Sequence, residues 1–486
     1  MAKGESRGEQ VRKFVAKHAN HTGGPRPVAP EPEAEPLDLI VRGGRVVTPD
    51  GVQVLDLGVR RGKIVRVLPE INEEPLRTID AGGRHVFPGI IDAHVHFNEP
   101  GRADWEGLAH GSLALAAGGG TCFFDMPLNS EPPVLDAATL REKRIIAGAT
   151  ACTDFGLWGG LVPGNLDKLA GMRDGGVVGL KAFMCNSGID SFARADAKTL
   201  YEGMRRAAKL GLLVAVHAED DALAAKFTAE QQAKGQHDAK AWLASRPVEV
   251  ELAAIRQALE FAGETGCMLH IVHVSSPEGV ALIADARAKR VDVTAETCPH
   301  YLLLNDKDVA KIGAAAKCAP PIRDEKRRKA MWAEMRAGNI QTVGSDHSPA
   351  PAEMKTSENF FEIWGGIAGV QHGAPLLLNE TIGTLAADWP RLAAVLARNV
   401  ARRFRIGGKG LLAEGYDADF SLIKIEPKAR VITPGDLWTH HPISAYIGRK
   451  SRVQVTDTYV RGVPVWANGN VVAGSPKGQF VRPQAG

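Results

Sequence analysis

Short apolar runs alternate with amphipathic segments through the central part of the chain. In one of the amphipathic segments, Glu251 to Glu264, a single helix face carries Leu252, Ile255, Leu259 and Ala262. Near-continuous apolar strands joined by such helices indicate a parallel sheet that is covered on both faces. The strand-like runs are Gly89–Ala93, Thr121–Asp125, Phe155–Gly160, Val177–Phe183, Leu212–Val216, Met268–Val274, Val291–Ala295 and Gln341–Gly344.

Eight strand–helix units predict an α/β protein built on a closed (β/α)8 TIM barrel, which we place at residues 88–414. Both flanks of this region have a different pattern, with short β segments and turn residues in place of long helices. The predicted turns of the N-terminal flank lie at Gly44, at Asp50-Gly51 and at Gly62. Residues 37–87 and 415–486 are therefore predicted to form one small β-sandwich domain.

The first 36 residues differ from the rest of the chain. The segment from Gly23 to Pro36 is a proline-rich tether that has too few apolar residues for a core. The segment lacks the apolar region of a secretory signal. We expect a disordered N-terminal extension over residues 1–36. The alternative is a helix over Glu9 to His18 that docks on a partner subunit.

Composition excludes several classes of partner. The 486 residues contain 59 Lys and Arg against 56 Asp and Glu, and this balance indicates no polyanionic partner such as nucleic acid. No apolar run approaches the roughly 20 residues of a membrane span, so no membrane partner is expected. The six cysteines form no C-x-x-C pair and lie in or beside apolar stretches, which favours free thiols and a cytoplasmic protein.

Several apolar runs are followed at once by residues that bind metals or carry protons. A parallel barrel brings the C-terminal ends of all its strands to one face, so these residues are expected to meet. His94 and His96 are two apart on a strand and project from the same side, where both imidazoles can reach one ion. A chance pair of surface histidines is the alternative. The polar rim formed by Glu99 to Arg102 favours a site.

Lys181 lies inside the fourth apolar run, where a charged side chain is costly. Three explanations are open. The lysine points outward and reaches solvent, it has a lowered pKa and forms a Schiff base with a carbonyl substrate, or its neutral amine captures CO2 to give a carbamate that bridges two cations. The third explanation requires histidines to converge on Lys181.

The remaining candidates end the fifth, sixth and eighth runs. His217 and His273 each close an apolar run, whereas His270, three residues before His273, faces the other side of the strand and is predicted to be structural. Asp346 is either a capping residue in a tight turn or a base that contacts a metal. His347 is assigned a supporting or structural role. The chain has no phosphate-binding G-x-x-x-x-G-K-[ST] and no G-x-S-x-G nucleophile motif.

These positions resemble the pattern of the cyclic amidohydrolases, the family that includes dihydroorotase, hydantoinase and allantoinase. The family has H-x-H after strand one, a carboxylated lysine after strand four, histidines after strands five and six, and an aspartate after strand eight. The resemblance extends from Leu37 to the C-terminus, and the counterparts of the family's residues are His94, His96, Lys181, His217, His273 and Asp346.

Longer motifs are most similar to the allantoinase branch of that family. The motifs are Glu99–Gly107, Asp125–Ser130, Ala244–Glu251, His273–Val280, Glu296–Tyr301, Lys317–Asp324, Ser345–Lys355, Trp364–Gln371, Ile443–Arg449 and Pro476–Phe480.

Two departures separate the chain from the sister enzymes. Asn98 stands where dihydroorotases have an arginine for the substrate carboxylate. No tyrosine follows Lys181 closely, unlike in hydantoinases, so Asn186, Ser187 or the metal alone must polarise the carbonyl. The expected substrate contacts are Asn186, Ser348, Ala319 (through its backbone) and Gly365.

The resemblance implies a metal-dependent hydrolase of a small molecule. Two divalent metal ions, with zinc expected, would be held by the four histidines and bridged by a hydroxide and by carboxylated Lys181. Asp346 would take the proton of the hydroxide and pass it to the departing ring nitrogen, opening the hydantoin ring of allantoin to allantoate. A homotetramer is also implied. The alternatives are a hydantoinase or dihydropyrimidinase, a Schiff-base lyase that uses Lys181, and a non-catalytic scaffold.

Overall fold

The structure, a computed structural model, describes residues 35–384, 388–474 and 477–484. The predicted disordered extension lies outside the described residues except for its last two positions, and so does the alternative helix over Glu9 to His18. The strands are β1 (Leu39–Thr48), β2 (Gly51–Arg60), β3 (Lys63–Leu68), β4 (Thr78–Asp80), β5 (His85–Pro88), β6 (Ile90–Val95), β7 (Gly120–Asp125), β8 (Asp154–Leu157), β9 (Gly159–Gly160), β10 (Leu180–Phe183), β11 (Val214–His217), β12 (Leu269–Ile271), β13 (Val293–Thr297), β14 (Thr342–Val343), β15 (Phe420–Val431), β16 (Lys450–Val460), β17 (Val463–Ala467) and β18 (Asn470–Val471).

The α-helices follow the barrel strands along the chain, and the last three come after β14. They are α1 (Leu108–Ala117), α2 (Ala137–Thr150), α3 (Leu169–Gly175), α4 (Ala197–Leu210), α5 (Asp221–Ala233), α6 (Ala239–Ser245), α7 (Val248–Thr265), α8 (Pro277–Ala288), α9 (Pro299–Leu303), α10 (Asp306–Ile312), α11 (Glu325–Ala337), α12 (Gly373–Glu380), α13 (Asp388–Ala393) and α14 (Asn399–Arg403). Helix α7 contains the predicted segment, with Ile255 and Ala262 buried and Leu252 and Leu259 half-buried.

The two flanks of the chain share one nine-stranded sheet. Its strand order is β18-β17-β16-β15-β5-β1-β2-β3, with β4 paired to β1. The antiparallel pairing of β5 with β15 joins the N-terminal strands to the C-terminal ones. Side chains from both flanks, such as Leu57 and Phe420, pack in a common hydrophobic cluster. The exact domain boundaries stay a prediction.

The expected turn at Gly44 is wrong. Strand β1 continues through this position, and its pairing with β2 shifts register between Val41 and Gly44. A β-bulge therefore absorbs the two glycines without ending the strand. A Cβ atom at Gly44 would lie 2.4 Å from Cγ2 of Val86, so the close approach of β5 requires a glycine here.

All eight predicted apolar runs form strands of a parallel barrel. Strands β6, β7 and β8 are neighbours in one sheet, and β9 to β14 follow one another in a second. Only Trp158 separates β8 from β9, so the third predicted run passes from one sheet into the other. A parallel bridge between Val95 and His347 joins the first strand to the segment after the last one. The fold class is a (β/α)8 barrel with a β-sandwich domain.

A helix that crosses a membrane must be both long and apolar. Among the described residues, no helix is both long and apolar enough to span a bilayer.

Candidate active site

One cavity of about 330 Å³ collects the predicted site residues. It lies where the barrel strands end, which is where parallel barrels carry their functional groups. The candidate metal ligands that line it are His94, His96, Lys181, His217, His273 and Asp346. The predicted substrate contacts that line it are Asn186, Ser348, Ala319 and Gly365. The barrel thus brings residues that are remote in sequence to one place.

The H-x-H pair and Asp346 converge on one point. Nε2 of His94 lies 3.2 Å from Oδ1 of Asp346, and Nε2 of His96 lies 3.5 Å from the same oxygen. The three residues offer ligand atoms that all lie within 4.8 Å of one another. Two imidazoles and a carboxylate at this spacing are a donor set suited to a divalent ion such as zinc.

Glu296 fixes which nitrogen of His94 faces the cavity. Its Oε1 lies 2.8 Å from Nδ1 of His94, and its Oε2 lies 3.2 Å from Nε2 of His270. A carboxylate that holds one ring nitrogen leaves the other with its lone pair directed at a metal. His270 also contacts Oγ1 of Thr294 at 2.7 Å through Nδ1, so both of its ring nitrogens are engaged within the protein.

Lys181 lies in β10 with a fully buried side chain of 0% relative exposure. The outward-pointing explanation is therefore wrong. Burial lowers the pKa of Lys181 to about 8, which makes its neutral amine accessible near neutral pH. Within the described part of the chain, Nζ of Lys181 has no hydrogen-bond partner, and it lies 5.2 Å from the ring centre of Phe183.

His217 and His273 form a second pair of nitrogen donors. Nδ1 of His217 and Nε2 of His273 face each other at 3.0 Å. Nε2 of His217 is held at 2.8 Å by Oε2 of Glu219, as Nδ1 of His94 is held by Glu296. Burial lowers the pKa of His94, His217 and His273, which keeps the imidazoles in the neutral form that binds metals.

Two of the site residues have strained backbones. His273 has φ of 40° and Asp346 has φ of 47°, in the left-handed region that non-glycine residues seldom occupy. Both follow the last residue of a strand by two or three positions. Such strain costs on the order of 1–3 kcal/mol and persists where the surroundings hold it, commonly at functional sites. The strained turns aim both side chains back into the cavity mouth.

A long loop after β14 covers part of the cavity. Nζ of Lys355 donates to the carbonyls of Trp364 at 2.7 Å and Gly366 at 2.9 Å, and Nζ of Lys317 donates to the carbonyls of Phe361 and Ile363. Burial lowers the pKa of Lys317 to about 7. These contacts tie the loop to the cavity wall.

Asn186 and Ser187 are the two side chains proposed to replace the tyrosine of hydantoinases as hydrogen-bond donor to the substrate carbonyl. They differ in the hydrogen bonds that they already make. The Ser187 hydroxyl donates to the carbonyl of Phe192 at 2.6 Å, so it is used inside its own loop. The side-chain oxygen of Asn186 accepts from Gly188 N–H, which leaves the amide nitrogen as its donor. Asn98 is buried and has φ of 65°; it is not among the described residues that line the cavity.

Sequence reasoning missed Glu219, Glu296 and Arg246. Glu219 stands two residues after His217, and Glu296 directly follows the seventh apolar run, which places both near strand ends but does not show which histidine each one holds. Glu296 and Arg246 fall inside longer motifs without a role of their own. Each of the three reaches a candidate ligand directly or through one carboxylate.

The donor set fits a pair of divalent cations. His94 and His217 each have one nitrogen engaged by a carboxylate and the other directed at a second candidate ligand. Lys181 lies among these groups as a buried amine for which the described residues provide no partner. The candidate ligand atoms face one another at 3.0 to 3.5 Å at the centre of the cavity, and bound cations would satisfy them in place of these contacts.

Comparison with known proteins agrees with this geometry. A profile described as the amidohydrolase family matches residues 85–465. The chain is 48% identical over 449 residues to an allantoinase from Deinococcus radiodurans, covering 92% of this chain and 99% of that protein. It is 50% identical over 453 residues to an allantoinase from Rubrobacter xylanophilus, covering 92% and 98%.

Solved structures of two related enzymes superpose on nearly the whole chain. An L-hydantoinase (dihydropyrimidinase) from Arthrobacter aurescens superposes with a TM-score of 0.89 at 32% identity, over 92% of this chain and 100% of that one. A dihydropyrimidinase from Brevibacillus agri superposes with a TM-score of 0.84 at 28% identity, over 91% and 98%.

Proposed function

The chain belongs to the amidohydrolase family, and on that premise we propose that it hydrolyses the hydantoin ring amide of allantoin to give allantoate. The observation that carries the proposal is the convergence of four histidines, a lysine and an aspartate in one cavity. The similarity to allantoinases along nearly the whole chain supports the choice of substrate. The enzyme is a cyclic amide hydrolase.

We assign the metal ligands from the distances. His94, His96 and Asp346 would hold one ion, and His217 and His273 the other, with Lys181 between them. When bound, two divalent cations of this kind polarise a carbonyl oxygen and lower the pKa of a water toward neutrality. Imidazole nitrogens favour zinc, which is the metal we propose.

Lys181 contributes to this site as a carbamate in our proposal. An ammonium group has no lone pair for a cation, so the amine must first lose its proton. Its lowered pKa of about 8 supplies that neutral form. Reaction with CO2 then forms an N–C bond and releases the amine proton, which leaves a carboxylate-like anion able to contact both ions.

The other side chains bind, orient and move protons. A carboxylate oxygen of Asp346 takes a proton from the attacking water and delivers it to the departing ring nitrogen, which would otherwise leave as a poor anion. Glu296 and Glu219 hold His94 and His217 in one tautomer. The loop that Lys317 and Lys355 secure limits water at the cavity mouth.

A hydantoinase or dihydropyrimidinase is the second candidate, because solved structures carrying those names superpose well on this chain. The missing tyrosine after Lys181 weighs against it. A Schiff-base lyase leaves the converging histidines without a role. A non-catalytic scaffold is disfavoured because all six candidate ligands are present and converge.

Turnover of allantoin, hydantoin and dihydrouracil by one metal-replete preparation separates these functions. We expect kcat/KM for allantoin to exceed the other two. A higher kcat/KM for hydantoin or dihydrouracil would instead indicate a hydantoinase or dihydropyrimidinase. Covalent trapping by borohydride in the presence of a carbonyl substrate would instead support the lyase.

We also propose a cytoplasmic homotetramer. The resemblance to the family supports the assembly. The six cysteines are free thiols, five of them buried, which supports a reducing location. Size-exclusion chromatography with light scattering tests the assembly directly.

A further inference from the structure

Arg246 lines the cavity of the candidate metal ligands without contacting the metal-binding atoms themselves. It occupies the junction between α6 and α7, directly before Pro247. Its backbone carbonyl accepts a 2.5 Å hydrogen bond from Nη1 of Arg323, and its amide donates to Leu243 O at 3.4 Å. The chain therefore holds the arginine at a fixed place on the cavity wall.

The side chain of Arg246 is positioned by an aromatic ring and a carboxylate. Its guanidinium carbon lies 4.6 Å from the ring centre of Trp242, a cation–π contact. Nη1 donates to Oε2 of Glu219 at 3.2 Å. The Arg246 side chain keeps 18% of its surface exposed while that of Glu219 is fully buried, so the guanidinium is the accessible member of the pair.

Both members of the pair have hydrogen-bonding capacity that the described residues do not use. A guanidinium carries five N–H donors, and among the described residues that of Arg246 donates to Glu219 alone, through Nη1. Nε of Arg246 and Oε1 of Glu219 are buried without a hydrogen-bond partner in the described part of the protein. These two atoms are closed to a ligand, whereas the partly exposed end of the Arg246 guanidinium has N–H groups that a ligand in the cavity can use.

We propose that Arg246, held in place by Glu219, forms the subsite for the ureido arm of the substrate, an inference that rests on the proposed function. A ureido group has one carbonyl oxygen and several N–H groups. The carbonyl accepts from the partly exposed guanidinium of Arg246, while the fully buried Glu219 fixes the position of that guanidinium.

The charges of the subsite match a neutral arm. Arg246 and Glu219 already compensate each other, so an uncharged ureido group adds no net charge to the cavity. A substrate with a carboxylate at this place would compete with Glu219 for the guanidinium and leave one anion poorly paired. Hydantoin has the ring alone and leaves the guanidinium without this partner, which lowers its binding.

The test compares a substrate that has the arm with a ligand that lacks it. In Arg246→Gln we expect KM for allantoin to rise about tenfold or more, since hydrogen bonds to a charged group are lost. The inhibition constant of hydantoin, measured as a competitive inhibitor of allantoin hydrolysis, should change less than about twofold. Metal content per subunit should match that of the wild type.

A matched control is Arg205→Gln. Arg205 pairs with Glu202 at 2.6 Å on α4, partly exposed, and neither residue is among the described residues that line the cavity. Both constants should stay at wild-type values in this variant.

A structural role for Arg246 gives a different pattern. If Arg246→Gln loses metal, or weakens hydantoin as much as allantoin, the arginine acts through Glu219 and His217 and the subsite proposal is overturned. Unchanged KM for allantoin overturns it as well. If the wild type does not hydrolyse allantoin at all, the proposed function fails first, and that result is separate from the effect of the substitution.

Discussion

His94 and Glu296 contact each other across the barrel, with Nδ1 of the imidazole 2.8 Å from Oε1 of the carboxylate and both side chains buried. They are 202 residues apart in the chain. A Cβ atom at Gly344 would lie 2.9 Å from Cβ of His94 and 3.0 Å from Cδ of Glu296, so a glycine in the segment after β14 makes this contact possible. Glu296 thus sets the orientation of His94 without being a candidate metal ligand itself.

Replacing the carboxylate tests that orientation. Glu296→Gln keeps the shape of the side chain, but its amide can no longer accept from His94 and His270 through two oxygens. We expect metal affinity to fall roughly 10- to 100-fold, the usual loss when a partner of a metal-binding histidine is removed. Competition with a chelator of known affinity measures the change.

The control is Glu251→Gln. Glu251 is also buried and accepts from Ser275 N–H at 2.7 Å and Ser275 O–H at 2.9 Å, but it contacts no candidate ligand. A loss of metal affinity as large as that of Glu296→Gln would show that any buried carboxylate of the barrel wall has this effect.

We expect Lys181 to carry a carbamate and Lys317, which also lines the cavity, to carry none. After exchange with ¹³C-bicarbonate, the wild type should show a carbamate carbon signal, and Lys181→Met should lose both this signal and bound metal. Lys317→Met is the matched control, because Lys317 is also buried with a lowered pKa but donates to backbone carbonyls. A signal that persists without Lys181 would refute its assignment.

Asp346→Asn removes the proposed proton carrier. General acid–base catalysis contributes roughly 10²- to 10⁴-fold to a rate, so we expect kcat to fall by that factor in protein that retains metal. Metal analysis must accompany the rate measurement, because Asp346 also lies within 3.2 Å of a candidate ligand nitrogen. A metal-replete variant with near-wild-type turnover would exclude this role.

Lys317 should make stability depend on pH. Burial lowers its folded-state pKa to about 7, below the value near 10.5 of the unfolded chain. Between these values the unfolded chain binds more protons, so the contribution of Lys317 to stability rises with pH from about 7 to about 10 and is constant below that range. Thermal unfolding at fixed metal concentration should show a weaker rise in Lys317→Met than in the wild type. Equal slopes would contradict the lowered pKa.

Lys143 and Asp125 form a buried ion pair that supports the segment around His96. Their atoms Nζ and Oδ2 lie 2.7 Å apart, and Oδ1 of Asp125 accepts from the N–H of Phe97, next to His96. Lys143→Met leaves a buried carboxylate unpaired, which should cost about 3–5 kcal/mol of stability. The double variant with Asp125→Leu should recover part of the loss in thermal unfolding; no recovery would argue against an unpaired charge as the cause.

The barrel and the metal-type residues could be predicted from the sequence because both have a local signature. Buried parallel strands are short apolar runs, and a histidine or aspartate directly after such a run must lie at the strand end. The positions of His94, His217 and Asp346 at strand ends therefore follow from the sequence alone. The sequence leaves three explanations open for Lys181, and its full burial in the structure excludes the outward-pointing one.

Other parts of the site have no local signature. In the sequence, Glu296 and Glu219 do not differ from other acidic residues near strand ends, and only the fold shows which histidine each one holds. Arg246 and Lys317 reach the cavity from connections between helices, and pattern along the chain does not indicate how such connections pack. Gly44 shows the same limit, since a turn and a bulge both favour glycine and only strand pairing distinguishes them.

Ring opening of allantoin with and without metal tests the central claim most directly. Metal-replete protein should convert allantoin to allantoate faster than it opens hydantoin or dihydroorotate, should lose this activity when a chelator removes the metal, and should regain it when zinc and bicarbonate are restored. Protein with confirmed bound metal that leaves allantoin unchanged would contradict the account.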